Sequence, residues 1–306
     1  MLQRLFQLVP VLLGISGITF ALMHLTHGDP AEIMLRADGI KPTYEAIEAT
    51  RHTLGLDGPV YMQYFHWLYR VLHLDLGISY SSNRPVFTEL MNRFPATALL
   101  SSCSILAAIL IALPVGVGSA LYPGKWFDRL GRVCALFSVS MPGYWLSLLL
   151  IYYGSVKLRL FPVMGMDGLS SVILPAFTLG FGMAGVYIRL IRSSLLDVLG
   201  TLYIKAARAR GLQEWRIITI HALRNALLPS LTLFGVNIAG LLGGSVIVET
   251  IFSWPGIGKY VIEAIFFAKD YIVIQGYVLW MAVVVVLINL AVDSLQLMLD
   301  PRIRLR

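Results

Sequence analysis

At 306 residues, with 57% hydrophobic and only 13% charged side chains and a mean hydropathy of +0.75, the chain is too apolar for a soluble domain of its size and places most of its length in lipid. Its net charge of +7 does not point to nucleic acid, because the basic residues alternate with apolar stretches and lack aromatic interleaving. The two cysteines, Cys103 and Cys134, both fall in apolar stretches and support neither a disulfide framework nor a zinc site.

In chain order, Leu5–Thr26 is an uncharged apolar run, preceded by Arg4, that is long enough to cross roughly 30 Å of hydrocarbon. It exceeds the core of a signal peptide and no small-x-small pattern follows it, so residues 1–26 read as a retained first span. Residues 27–94 form the largest segment outside the membrane and are expected to fold as a helical outer cap. Pro30–Leu35 and Thr43–Leu54 have helical spacing, the second capped by Thr43 and closed by Gly55, and Asp57-Gly58-Pro59 is a turn. Val60–Leu72 then returns as an amphipathic helix carrying Tyr61, Tyr64, Phe65, Trp67 and Tyr69. That aromatic stripe suits either the membrane interface or contact with an external binding protein. His24 and His27, three apart at the outer mouth of the first span, are candidate ligands for nickel, which imidazole suits, or plain interfacial histidines; no firm metal site is assigned.

Further spans fit Ala96–Leu121, Leu130–Val156, Val172–Ile191, Leu228–Val248 and Tyr277–Leu299, giving six and putting both termini on one side. With the N-terminus inside, the cytoplasmic segments carry 14 basic residues against Asp128, Asp197, Glu214 and Asp300, whereas the outer segments are acidic on balance, so both termini are expected in the cytoplasm. Pro114, Gly116 and Gly118 in the second span, and Gly180, Gly182 and Gly185 in the fourth, read as close-packing positions rather than hinges. The long basic segment 189–229 is cytoplasmic by the same charge argument. Inside it Lys205-Ala206-Ala207-Arg208-Ala209-Arg210-Gly211 is a helix that stops at a glycine before Leu212, and Gln213–Leu227 is a second helix that stops before Pro229.

In the fifth span and its exit, Asn237, Gly240, Gly243, Gly244, Ser245, Glu249 and Thr250 form the most polar intramembrane stripe, with Asn237, Gly240, Gly244 and, one turn on, Glu249 read along roughly one helix face. Polar groups in a span must face protein or water, so this stripe is either the translocation path or a packing face for a partner. Trp254, Pro255, Gly256 and Gly258 follow as a sharp outer turn with the indole at the membrane interface. Near the end, Asn289 and Asp293 sit four apart, as a hydrogen-bonded pair or an ion site.

The run AARARGL followed by HALRNALLP resembles the cytoplasmic coupling loop of permease subunits in binding-protein-dependent ABC importers, in the peptide/nickel branch. Lys205 stands where that family's consensus has a glutamate, so docking through a carboxylate does not carry over to this position. Leu54–Pro59, Asp75–Ser79, Arg84-Pro85, Glu249–Gly258 and the ending Asp300-Pro301-Arg302 match the same branch, and His73-Leu74-Asp75 is most similar to its nickel-import permeases. The resemblance implies an all-α integral membrane fold of six transmembrane helices, the type I importer permease, with the outer cap at 27–94, the other five spans in 95–306 and the coupling loop at 189–229. It also implies a bacterial inner-membrane subunit paired with a second homologous permease, two ABC ATPases and an extracytoplasmic solute-binding protein, with lipid around it and no nucleic acid. ATP and magnesium would be held by the ATPases; this chain, which lacks a Gly-x-x-x-x-Gly-Lys-Ser/Thr run, would bind no cofactor and catalyse no reaction. The expected cargo is nickel or a nickel chelate, with a dipeptide, oligopeptide, glutathione or metallophore as the alternative. Neither an intramembrane enzyme nor a secondary transporter fits: catalytic motifs such as His-Glu-x-x-His are absent, and no repeated halves appear.

Overall fold

The computed structural model describes residues 2–25, 31–32, 35, 42–54 and 57–299, and every named element among them is helical. In order these are α1 (Leu2–Leu25), α2 (Tyr44–Leu54), α3 (Val60–Leu72), α4 (Val86–Leu121), α5 (Trp126–Ser140), α6 (Gly143–Leu150), α7 (Ile173–Leu199), α8 (Leu202–Ala209), α9 (Glu214–Arg216), α10 (Leu223–Ala226), α11 (Leu228–Ile251), α12 (Ile257–Glu263) and α13 (Tyr271–Leu299). π-helical turns extend α6 over Ile151–Lys157, join α9 to α10 over Ile217–Ala222 and extend α12 over Ala264–Ala268. Two compact units result, one of Met1–Pro95 with Gly256–Leu287 and one of Ala96–Pro255 with Ile288–Arg306. This grouping follows contacts, whereas the division at residues 26 and 94 follows membrane character, so the two describe different properties.

In the first unit, α2 begins where Thr43 Oγ1 accepts the Ala46 N–H at 3.3 Å, the N-cap bond expected of a threonine at that place. α3 has the bounds that the sequence pattern gives. The core of this unit is Val86, Leu90, Ile257, Tyr260, Ala264 and Val273, contributed by the start of α4, by α12 and by the start of α13. His27, Gly55, three residues of the Pro30–Leu35 stretch (Pro30, Ile33 and Met34) and the final Asp300–Arg306 lie outside the described residues.

In the second unit, α7 is the central and most buried helix. Its glycines explain how α4 and α5 approach it. A β-carbon on Gly180 would lie 2.6 Å from the Ser104 carbonyl oxygen, and one on Gly185 would lie 2.6 Å from that of Ala135. Gly182, by contrast, faces open space. The Ser138 hydroxyl donates to the Phe181 carbonyl and accepts the Gly185 N–H at 3.0 Å, sealing the α5–α7 contact.

Among the described residues three helices are long and apolar enough to cross a membrane, at Val86–Leu121, Leu169–Leu199 and Tyr271–Val292. The stretch expected as one span over Leu130–Val156 is instead a pair, Trp126–Ser140 and Gly143–Lys157, bent by 105°. Pro142 is the cause: its ring disfavours the helical conformation at Met141, which is extended (φ −84°, ψ 119°), and it offers no N–H to continue the ladder. Counting that pair as one span gives four, and the remaining apolar stretches, Val9–Ala21 within α1 and Gly240–Ile251 within α11, are shorter.

Candidate functional site

The 189–229 segment begins as a continuation of α7, which runs without a break to Leu199. α8 then presents Ile204 and Ala207 inward to Leu195, Ile217, Ala222 and Ala226, so the segment is a packed knob with its own core. The termination of α8 follows from Gly211. Its φ of +75° is the left-handed conformation that suits glycine. The Gly211 N–H donates to the Arg208 carbonyl at 2.9 Å and the Leu212 N–H to the Ala207 carbonyl at 3.3 Å, the paired bonds of a Schellman stop. Across this turn Arg208 Nη2 meets Glu214 Oε1 at 2.5 Å. That hydrogen bond lowers the Glu214 pKa and raises that of Arg208, although both side chains remain about half exposed. The outward surface carries Lys205, Ala206, Ala209, Arg210 and Leu212 beside exposed Leu202 and Trp215, a mixed cationic and apolar face.

The fifth-span stripe does not occupy one face. Gly240 and Gly244 are exposed and meet no neighbouring atom within 4 Å where a β-carbon would stand, whereas Ser245 and Glu249 are buried. At roughly 100° per residue, the step from Gly240 to Glu249 ends on the opposite side of the helix, so the sequence reading put two faces together. Asn237 Nδ2 donates to Tyr187 Oη at 3.0 Å. Glu249 is fully buried and accepts from Thr97 Oγ1 at 2.7 Å and Ser245 Oγ at 3.3 Å, which makes it a brace between α4 and α11. An apolar cavity of about 200 Å³ lies between α4, α7 and α11, lined by Ala112, Tyr187, Ile191, Ser230 and Phe234 among others.

Trp254, expected to present its indole to the membrane surface, is instead enclosed by protein. It is fully buried with Leu100, Val172 and Ala176, and its Nε1–H donates to the Ala96 carbonyl at 2.8 Å. The turn that follows α11 places Ser253 in the left-handed region (φ +49°), while Pro255 leads into an extended Gly256 (φ −93°, ψ 178°) and Gly258 is buried within α12. Of the candidate metal pair, His24 has Nδ1 3.1 Å from the Phe20 carbonyl oxygen and Nε2 3.1 Å from Gln63 Oε1, and His27 lies outside the described residues. The Asp293 side chain also lies outside the description.

Two buried acids carry more structure than the sequence reading gave them. Asp270, fully buried, caps α13 through the Val273 N–H at 3.3 Å and accepts from Ser79 Oγ at 2.7 Å and the Ser81 N–H at 3.2 Å. This explains the Asp75–Ser79 motif. Asp75 Oδ1 accepts the Gly77 N–H at 2.9 Å, Gly77 turns with φ +89°, and Ser79 is thereby delivered to Asp270. On α5, Asp128 is 1% exposed and held by both guanidinium arms of Arg192, Nε–Oδ1 at 2.6 Å and Nη2–Oδ2 at 3.0 Å, with the Gly124 N–H at 2.9 Å. The signal was an aspartate just after a Pro-Gly turn at the start of a helix, but its arginine stands far off in sequence.

Residues 112–305 match the family model described as binding-protein-dependent transport system inner membrane component, and residues 1–101 match the N-terminal model for such membrane components. The dipeptide transport system permease DppB of Escherichia coli K12 is 40% identical, covering 99% of this chain and 98% of its own. The glutathione transport system permease GsiC of Salmonella typhimurium is 39% identical over the same shares. Among solved structures, the MetNI methionine ABC transporter in an inward-facing conformation aligns with a TM-score of 0.60 at 21% identity, over 69% of this chain and 96% of that one. This likeness is one of fold. The model, the end-to-end relatives and the helical fold agree that the chain belongs to the family of binding-protein-dependent transport system inner membrane components, the permease subunits of ABC importers.

Proposed function

We propose that this permease passes peptide-class solutes, a dipeptide or a small peptide such as glutathione, rather than nickel. The observation that carries the reading is the end-to-end match, at about 40% identity, to permeases named for dipeptide and glutathione transport. Nickel rested on the wording around His73 and on the His24–His27 pair, and both nitrogens of His24 sit beside protein oxygens. α1 and α11, each 24 residues, supply the fifth and sixth crossings, with both termini in the cytoplasm.

Uptake in this reading is driven from outside the chain. The face of Lys205, Ala206, Arg208, Ala209, Arg210 and Leu212 seats on one of two ABC ATPases, which hold ATP and magnesium. A second permease covers the exposed Gly240–Gly244 side of α11 and completes the path, and a loaded binding protein delivers solute at the outer turn of Trp254, Pro255, Gly256 and Gly258. Because α8 shares a core with the end of α7, a push on the knob is transmitted to the central helix of the second unit. The test is uptake of labelled dipeptide, labelled glutathione and labelled nickel in a deletion strain and in the same strain complemented. Rescue of peptide or glutathione uptake alone is the expected result; rescue of nickel alone overturns the solute assignment.

A further inference from the structure

At roughly 100° per residue, α3 has three sides. Tyr64 and Trp67 face α1: Tyr64 Oη is 2.9 Å from Ser16 Oγ, and the Trp67 and Phe20 ring centroids are 5.6 Å apart. The next side carries Tyr61, Phe65, Tyr69 and Leu72, which are 63%, 64%, 64% and 74% exposed. The third side is polar, with His66 and Arg70, and Arg70 Nε reaches Asp75 Oδ2 at 2.8 Å. The apolar arc is therefore continuous and only part of it is covered by α1.

The contacts with α1 fix the depth of α3. α1 is uncharged from Leu5 to Leu25, a rise of roughly 31 Å that matches the hydrocarbon thickness, so Leu25 falls near the outer boundary. The contacts are made at Ser16, Phe20 and His24. Phe20 is roughly 7 Å and Ser16 roughly 13 Å back from Leu25 along the helix. A helix held there, with tyrosine and phenylalanine on its open side and arginine and histidine opposite, has the residue distribution of an in-plane interfacial helix.

We propose that α3 lies in the outer leaflet, with Tyr61, Phe65, Tyr69 and Leu72 seated at the boundary between phospholipid headgroups and acyl chains. Lipid is favoured over a protein partner because the exposed face continues the one packed on a membrane span, within that span's outer half. The inference rests on the inner-membrane location of the family and on the proposed crossing of α1 with its N-terminus in the cytoplasm, and is independent of the solute carried.

The test uses the assembled transporter in phosphatidylethanolamine–phosphatidylglycerol liposomes. In a Cys103→Ala, Cys134→Ala background, nitroxide labels are placed singly through Tyr61→Cys, Phe65→Cys or Tyr69→Cys, and through His66→Cys or His73→Cys. Power saturation then compares collision with oxygen, which concentrates in lipid, and with a water-soluble nickel chelate. Labels at 61, 65 and 69 are expected to favour oxygen several-fold, and those at 66 and 73 the chelate. Chelate access at 61, 65 and 69 overturns the proposal; if that access then falls on adding the binding protein, the face is a protein docking surface. Hydroxyl-radical footprinting of the unsubstituted complex gives a second reading should a label disturb the fold. Protection of Tyr61, Phe65 and Tyr69 without binding protein is expected, and their free oxidation refutes lipid seating.

Discussion

Gly211 offers the sharpest test of the coupling knob, because backbone strain and steric exclusion separate there. At φ +75° a side chain is strained, yet a β-carbon would meet no atom within 4 Å, so substitution acts through the backbone alone. An alanine in the left-handed region costs about 1–2 kcal/mol. The two bonds that close the turn contribute about 0.5–1.5 kcal/mol each, so the strain is comparable with what holds the stop together. A shift of that size changes the population of the correctly turned knob about 5–30-fold. Asparagine tolerates the conformation and valine, β-branched, tolerates it least. The expected order of ATP-driven uptake in proteoliposomes is therefore wild type, then Gly211→Asn, Gly211→Ala and Gly211→Val, with membrane insertion unchanged and ATPase co-purification falling in the same order. Wild-type uptake by Gly211→Val, or equal loss in the asparagine and valine variants, would refute the reasoning.

Three further outcomes are expected. Glu249→Ala removes the acceptor of the Thr97 hydroxyl in a site with no exposure and should cost about 1–3 kcal/mol. Glu249→Gln keeps an acceptor oxygen and should unfold above it on heating in detergent; equal midpoints would count against the brace. Asp128→Ala leaves Arg192 without its carboxylate and should cost up to about 3–5 kcal/mol, most of it recovered by Asp128→Leu with Arg192→Met, as read by the same thermal midpoints. After α3, the hydrogen bond from Arg70 holds the Asp75 pKa below its ordinary 3.8. Stability from this pair is thus complete above the ordinary value and is lost as pH falls through the depressed one. Hydrogen exchange at the end of α3 should quicken below about pH 3.8, and Arg70→Met should remove that dependence, with an unchanged acid response in the variant contradicting it.

The sequence by itself determined a great deal where the controlling interactions are local. Thr43 caps α2, Gly211 ends α8, and α3 has the bounds its periodicity announces, because a cap, a left-handed glycine and a hydrophobic period each act within a few residues. The motif Asp75-x-Gly77-x-Ser79 was visible as a pattern, yet its purpose needed Asp270, which stands far away in the chain. Family membership was legible for the same reason as the motifs, since local patterns repeated along the chain add up.

What only the tertiary structure decided are the places where distant residues compete for one group. Composition sends tryptophan to the membrane interface, but the Ala96 carbonyl and the pocket of Leu100 and Ala176 take Trp254 inside. A hydropathy window runs through Leu130–Val156 without seeing that Pro142 turns the chain by 105°. A list of polar residues joins Gly240 to Glu249, whereas the helical phase puts one outside and the other against Thr97. Burying a carboxylate or an indole N–H is costly unless a partner of fitting geometry is present. Which partner meets it is a property of the packed helices, and for Glu249, Trp254, Asp128 and Asp270 that partner comes from elsewhere in the chain.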